Sequence, residues 1–181
     1  MNSNSPSQWE IFGVGELTQK LTNTFERGIQ KLDISAQTKS KTVKQLVHME
    51  ENVLLVTSDN ELHWYGRNHG YFGEDCRSAH FAYPNAPYIN TFFKDNGLNI
   101  DTINTSCWSQ HIITSVYGSN DLYCFGSNYE GNLNLGERYS QKSMIATPTK
   151  MDFFTKLHEK CIQIATGSNI TVYLAQAGGA L

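Results

Sequence analysis

The chain has 181 residues, a formal net charge of -3 and a pI near 6.0. It therefore lacks the basic excess that direct nucleic-acid binding requires, while its length suffices for one domain with its own core. No apolar run reaches the roughly 18 residues of a membrane-spanning helix, so we expect a globular protein without a membrane span. Residues 1–8 are polar and predict a flexible tail rather than a secretory signal. With four well-separated cysteines, this indicates a cytoplasmic or nuclear protein that is not secreted.

The N-terminal part of the chain offers one clear strand and one ambiguous segment. Residues 9–13, WEIFG, predict a short strand. From Leu17 to Leu32, apolar residues recur every three or four positions, which fits an amphipathic helix. Gly28 and several threonines in the same segment weaken the helix and favour an irregular polar loop, so both interpretations stay open. Residues 33–42 are polar and predict an exposed loop.

Two later segments each combine an apolar run, a turn and an aromatic strand. Residues 52–66 read NVLLVTSDNELHWYG, and residues 111–126 read HIITSVYGSNDLYCFG. Both patterns predict hairpins, because Ser, Asn, Asp and Gly supply the turn conformations between the apolar runs. Between them lies an aromatic connector, residues 76–101. We interpret it either as a loop packed over a sheet face or as a docking loop for a partner.

These segments are copies of one repeat. A short strand ending in an aromatic residue and a glycine recurs at Gly13, Gly66 and Gly126. The strand before it recurs at residues 52, 111 and 170, the last within 162–174, IQIATGSNITVYL. A period of this size with several strands per unit is typical of propeller blades. We therefore predict an all-β fold, a partial β-propeller of about three antiparallel four-stranded blades.

The predicted blades lie near residues 43–66, 103–126 and 161–175. The third of them lacks the aromatic-glycine strand, and residues 9–13 are a strand of that type. We therefore interpret residues 9–13 as a candidate to complete the last blade, within a repeat region that runs from residue 9 to residue 181.

Residues 122–174 resemble the repeat of the regulator of chromosome condensation family. The matching pieces are LYCFGSNYEGNLNLGE, ATPTKMDFF and IQIATGSNITVYL, and residues 47–75 resemble the repeat more weakly. The resemblance implies a propeller in which Gly13, Gly66, Gly126, Gly136 and His111 hold structural repeat positions. It also implies a ring of seven blades, of which this chain carries about three.

Three blades alone would leave long sheet edges unpaired, which invites further association. Three explanations remain open at this point. The chain is a fragment of a longer propeller, it associates with a second copy to give a six-blade ring, or it docks on another chain within a larger assembly.

The sequence contains no recognisable catalytic motif. It has no Gly-x-Ser-x-Gly elbow, no phosphate-binding loop and no His-Glu-x-x-His. The pairs Cys107 with His111 and His158 with Cys161 stand alone, whereas a zinc site needs four ligands. We therefore predict a protein that is not an enzyme, with no catalytic residues, no cofactor and no metal.

The remaining prediction is a protein–protein interaction module or scaffold, because blades hold loops rigidly for recognition. The alternative, implied by the family resemblance, is guanine-nucleotide exchange on a small GTPase. For both functions, the expected partner is a protein. The candidate binding residues lie on the turns after the aromatic strands and on the connector: Arg67, His69, Tyr71, Tyr129, Glu130, Tyr83 and Tyr88.

Overall fold

The computed structural model describes residues 11–13, 30–32, 41–49, 52–67, 80–81, 87–106 and 108–177. Antiparallel strands dominate these ranges. Among the helices within them, none is long and apolar enough to cross a membrane.

Thirteen strands and three short helices follow one another in the described ranges. The strands are β1 (Ile11–Gly13), β2 (Gln30–Leu32), β3 (Val43–Met49), β4 (Asn52–Thr57), β5 (Leu62–Arg67), β6 (His80–Phe81), β7 (Tyr88–Asn90), β8 (Ile100–Asn104), β9 (His111–Val116), β10 (Leu122–Ser127), β11 (Met144–Met151), β12 (Glu159–Thr166) and β13 (Thr171–Ala177). The helices are α1 (Phe92–Asp95), α2 (Phe153–Leu157) and a 3-10 turn at Glu137–Tyr139.

The strands form three blades and one separate pair. Blade 1 has the order β3-β4-β5, with β6 and β7 both pairing along the outer edge of β5. Blade 2 is a complete four-stranded sheet, β8-β9-β10-β11, and blade 3 consists of β12 and β13. The remaining sheet pairs β1 with β2. Blade 1 begins at Val43, blade 2 at Ile100 and blade 3 at Glu159, each on the strand that precedes the apolar run.

The connector before blade 2 differs from the prediction. Residues 76–101 were expected as a loop over a sheet face or for docking, yet they supply β6, β7 and α1. Phe81 lies opposite Gly66 and Tyr88 lies opposite Trp64, so β6 and β7 extend blade 1 beyond β5. The physical reason is that the outer edge of β5 needs hydrogen-bond partners for its backbone.

Two further expectations concern the N-terminal part. The helix considered for residues 17–32 is contradicted at its end, where Gln30–Leu32 is a strand, and the rest of that segment lies outside the described residues. Ile11–Gly13 pairs with β2 and not with β13, so within this structure it does not complete blade 3. Residues 1–8 and 33–40 also lie outside the described ranges.

The blades pack face to face, and the core lies between them. One buried cluster fills the space between blades 1 and 2, including Trp64, Phe93 and Phe125. A second fills the space between blades 2 and 3 around Cys124 and Phe154. All six residues of β4 are buried, which is the pattern expected of a strand covered on both faces.

Hydrogen bonds between the inner strands tie blade 1 to blade 2. The Lys44 ammonium donates to the Asn99 side chain at 2.9 Å and to the Ile100 carbonyl at 3.0 Å. The Gln45 amide donates to the Asp101 carbonyl and accepts from the Ile103 backbone N–H at 3.1 Å. These contacts fix the first strands of neighbouring blades relative to each other.

Gly66 and Gly126 close the aromatic strands where these meet the start of the preceding strand. Their φ angles are 124° and 103°, a region that L residues with a side chain rarely adopt. Gly126 lies opposite His111, and a Cβ there would overlap the Gln110 carbonyl oxygen and lie 2.9 Å from the His111 Cα. Only glycine therefore lets the two strands approach this closely.

We predict that Gly126→Val destabilises the fold by at least about 3 kcal/mol, because backbone strain and overlap add together. The matched control is Gly118→Ala, since Gly118 also has a positive φ of 76° but a Cβ added there would meet no atom within 4 Å. This control should lower the free energy of unfolding by about 1 kcal/mol, because it introduces the backbone strain without the overlap. Urea unfolding measures both, and equal losses would contradict the close-approach explanation.

Candidate functional site

Two loops emerge side by side from one end of blade 2. His111 begins β9 opposite Gly126 near the end of β10, so the loop before β9 and the loop after β10 leave the same end of the sheet. The Ser127 N–H donates to the Gln110 carbonyl at 2.7 Å and joins the bases of both loops. We call this end the turn end and define it as residues 105–106, 108–110 and 128–143.

The turn end presents two large aromatic side chains to solvent. Trp108 is 73% exposed and Tyr129 is 66% exposed, and Glu130 beside Tyr129 is also exposed. Exposed Trp and Tyr carry a large apolar surface with few rotatable bonds, which makes them the usual anchors of protein interfaces. The pair is therefore suited to contact a partner.

A polar cluster lies at the base of the same two loops, where Ser109 and His111 are fully buried. The Asn132 amide donates to His111 Nδ1 at 3.0 Å, and the Ser109 hydroxyl lies 3.0 Å from the same nitrogen. Since Nδ1 accepts, the ring proton is on Nε2, which donates to the Thr171 hydroxyl at 2.7 Å. We call these four residues the polar clamp. It joins both turn-end loops to blade 3.

The loop that carries Tyr129 is also braced from within. The Asn128 side-chain amide donates to the Tyr139 carbonyl at 3.2 Å and to the Lys142 carbonyl at 3.0 Å. Its Oδ1 accepts from the N–H of Leu133, which is fully buried. A long loop anchored by its own side chains in this way holds its exposed residues on a fixed base.

The structure places the predicted binding residues unevenly. Tyr129 and Glu130 lie on the turn end, as Trp108 does. Tyr88 lies on β7, half-buried against the core between blades 1 and 2. Arg67 closes β5 and pairs with His80, which puts its backbone at the corresponding end of blade 1. The other three predicted residues, His69, Tyr71 and Tyr83, lie outside the described residues.

The sequence reasoning missed Trp108. It stands in a polar segment, TSCWSQ, where no alternating pattern gives it a core position. A large aromatic residue in such surroundings is itself a signal for an exposed contact residue.

At the inner strands, a cleft of about 880 Å³ opens between blades 2 and 3. It is lined by β8, the β9–β10 turn and β12, and its side chains are mostly polar, among them Asp101, Asn120 and Lys160. In the part of the chain that the structure describes, no group of three His, Cys, Asp or Glu side chains is placed to hold a metal ion.

The opposite end of blade 1 carries a charged cluster that is internally paired. The ammonium groups of Lys41 and Lys94 both contact Asp59 and Glu61, with Lys94 2.7 Å from Glu61. Burial alone would raise the pKa of Glu61, but hydrogen bonds from both lysines lower it to about 2. Because its charges are satisfied within the cluster, we assign it a structural role in tying α1 to the β4–β5 turn.

Comparison with known proteins decides the family of the repeat. Residues 119–174 match the model of the Regulator of chromosome condensation (RCC1) repeat. The resemblance seen in the sequence is thereby confirmed. No curated protein matches the chain in sequence.

Solved structures confirm the partial propeller. A crystal structure of human WBSCR16 superposes with a TM-score of 0.61 at 14% identity, covering 90% of this chain and 39% of that one. A crystal structure of yeast RCC1 (Prp20) with Kap60 gives 0.54 at 15% identity, covering 74% and 30%. This chain therefore spans less than half the length of either match. The RCC1-repeat propeller fold supports a protein-interaction or regulatory module.

The polar clamp makes the stability of the fold depend on pH. Burial lowers the pKa of His111 to about 4, whereas an unfolded histidine titrates near 6.5. Between these values the unfolded chain binds the extra proton, so stability falls as the pH drops from about 6.5 towards 4.

We predict a loss of about 3 kcal/mol over that window from His111, measured by urea unfolding at a series of pH values. His111→Gln should unfold more easily at pH 7 and lose most of the pH dependence between 6.5 and 4.5. A variant that keeps the full slope would show that another group causes it.

Proposed function

We propose that this chain is a protein-interaction module that binds a protein partner through the turn end of blade 2. The observation that carries the proposal is the pair Trp108 and Tyr129, both largely exposed on loops that the polar clamp holds in place. A partner would bury these rings without first having to order the loops, which lowers the entropic cost of binding.

The residues around the pair fit a protein interface. Glu130 is exposed next to Tyr129. Arg138 lies on the 3-10 turn and Lys142 follows it, and the cationic groups of both lie 5.4 Å from the centre of the Tyr139 ring. An aromatic centre with mixed charges around it is the composition expected of a protein contact rather than a nucleic-acid contact. The net charge of -3 supports the same choice.

A more specific alternative is guanine-nucleotide exchange on a small GTPase, which is supported by the RCC1-repeat match alone. Exchange proceeds through protein contacts that remodel the nucleotide site, so the turn end would serve it equally. The two functions separate in one assay. An exchange factor in catalytic amounts accelerates release of a fluorescent guanine nucleotide from its GTPase, whereas a binding module forms a stoichiometric complex without accelerating release.

We predict that Trp108→Ala combined with Tyr129→Ala strongly weakens partner binding. Removing each central aromatic anchor should lower the binding free energy by roughly 2 kcal/mol or more. The measurement is quantitative affinity capture from the source cells with the tagged full chain, followed by titration of the captured protein. The affinity of the double variant should fall at least about 100-fold.

Tyr117→Ala is the matched control. Tyr117 is 72% exposed, as large and as accessible as the other two, but it lies on the β9–β10 turn at the opposite end of blade 2. Binding should survive this change. If the control variant loses the partner and the double variant keeps it, the interface lies at the other end. Equal circular dichroism spectra and melting temperatures confirm that all variants fold.

A further inference from the structure

The inner strands of the three blades share one irregularity, a bulge in the first half of each strand. The register shifts lie between Val43 and Gln45 in β3, between Ile100 and Thr102 in β8, and between Cys161 and Gln163 in β12. The residue in the bulge and the one after it therefore hold equivalent positions in the three blades: Lys44 and Gln45, Asp101 and Thr102, Ile162 and Gln163.

At the junction of blades 1 and 2, this pair of side chains joins the two inner strands. The Gln45 carboxamide donates to the Asp101 carbonyl and accepts from the Ile103 N–H at 3.1 Å. The Lys44 ammonium donates to the Ile100 carbonyl at 3.0 Å. An amide and an ammonium from blade 1 thus satisfy the inner backbone edge of β8.

At the junction of blades 2 and 3, the equivalent side chains do not form this bridge. Thr102 is shorter than Gln45, and its hydroxyl is hydrogen-bonded within blade 2, 2.7 Å from Ser115 Oγ. Asp101 carries a carboxylate, which has no proton to donate to a carbonyl. Although β12 contacts β8 as β8 contacts β3, no hydrogen bond between described residues joins β8 to β12. The cleft of about 880 Å³ opens at this unbridged position.

The cleft exposes the backbone groups that the bridge covers at the preceding junction. By equivalence with Asp101 and Ile103 of β8, the Ile162 carbonyl and the Ile164 N–H point from β12 into the cleft, which both residues line. Asp101 on one wall and Lys160 on the other are exposed. Neither takes part in an ion pair among the residues that the structure describes.

A peptide carries the groups that would complete this site. A peptide bond holds a carbonyl and an N–H close together, as the Gln45 carboxamide does, so it can pair with the inner edge of β12. A lysine or arginine side chain would supply the cation that Lys44 supplies at the other junction, and Asp101 would attract it. The volume also lies within the roughly 300–1,000 Å³ that is usual for ligand sites.

We propose that the cleft between blades 2 and 3 binds an extended segment of a partner protein that carries a basic side chain. One peptide group of the segment pairs with the Ile162 carbonyl and the Ile164 N–H, and the basic side chain pairs with Asp101. Lys160 on the opposite wall favours an acidic residue elsewhere in the same segment. The site is separate from the turn end, none of whose residues is among those lining the cleft.

The test is a selection of peptides on the full chain. A phage-displayed library of random nonapeptides is selected on the immobilised chain in the presence of excess soluble bridge variant, Asp101→Lys with Thr102→Gln. This variant carries the lysine and the glutamine of the closed junction. Because it keeps the turn end intact, it also removes peptides that bind there, and the result does not depend on the proposed function.

The enriched peptides should contain a lysine or an arginine. As fluorescein-labelled synthetic peptides measured by fluorescence anisotropy, they should bind the bridge variant at least about tenfold more weakly than the unchanged chain, because the new side chains occupy the cleft. Asp95→Lys is the matched control, since it changes the charge equally on α1, is exposed and lies outside the cleft. It should leave the affinity unchanged.

A double-mutant cycle tests the contact with Asp101. Asp101→Asn should weaken the peptides about two- to fivefold, the effect of an exposed ion pair. Replacing the basic residue of the peptide by glutamine should cause a similar loss on the unchanged chain and little further loss on Asp101→Asn. Additive losses would show that the basic residue binds elsewhere and would contradict the assignment.

Should the bridge variant lose its circular dichroism spectrum, Asn120→Trp replaces it, because Asn120 lines the cleft from an exposed turn. The proposal is overturned if no peptide is enriched over the competitor, or if the enriched peptides lack a basic residue. Peptides that bind the bridge variant as tightly as the unchanged chain overturn it as well.

Discussion

Each blade of this protein is apolar on both faces, and the rest of the structure depends on covering both. Strand β4 is buried along its whole length, and β9 is buried at five of its six residues. The reason is that both faces of these sheets are covered by other parts of the protein. Sheets of this kind have no solvent-facing side on which polar residues could alternate with apolar ones. A face without cover exposes its aliphatic side chains, as blade 3 does with Val172 and Leu174.

Stacking also decides where recognition can take place. When both faces of a sheet are occupied, only the ends of its strands and its edge strands remain accessible to a partner. The ends carry loops whose sequences are not constrained by packing, so large aromatics such as Trp108 and Tyr129 can be exposed there without weakening the core. The polar clamp meets the second requirement of a recognition site, a fixed geometry, because it links the two loops to the next blade.

The sequence predicted the parts of the fold that rest on local patterns. The hairpins of β4–β5 and β9–β10 were visible because apolar runs, turn residues and terminal glycines stand close together. The outer strand β11 was not predicted, because Pro148 and the polar residues around it do not form the alternating pattern of a strand. Pro148 is tolerated because an outermost strand need not donate every N–H to a neighbour. The polar clamp was also invisible, because Thr171 lies 60 residues from His111 and no local pattern connects them.

Comparison of equivalent positions explains why the clamp occurs at only one of the described blade junctions. Asn52 replaces His111 in blade 1, and its Oδ1 accepts from the Trp64 indole at 3.1 Å. Its Nδ2 has no partner among the described residues, because the neighbouring blade offers Ile112 where blade 3 offers Thr171. In blade 3 the position is Ile170, which is 59% exposed and has no hydrogen-bonding group. The histidine and the threonine must therefore occur on successive blades for the clamp to form. The degenerate repeats satisfy that condition at the junction of blades 2 and 3, at the base of the two loops that carry the exposed aromatics.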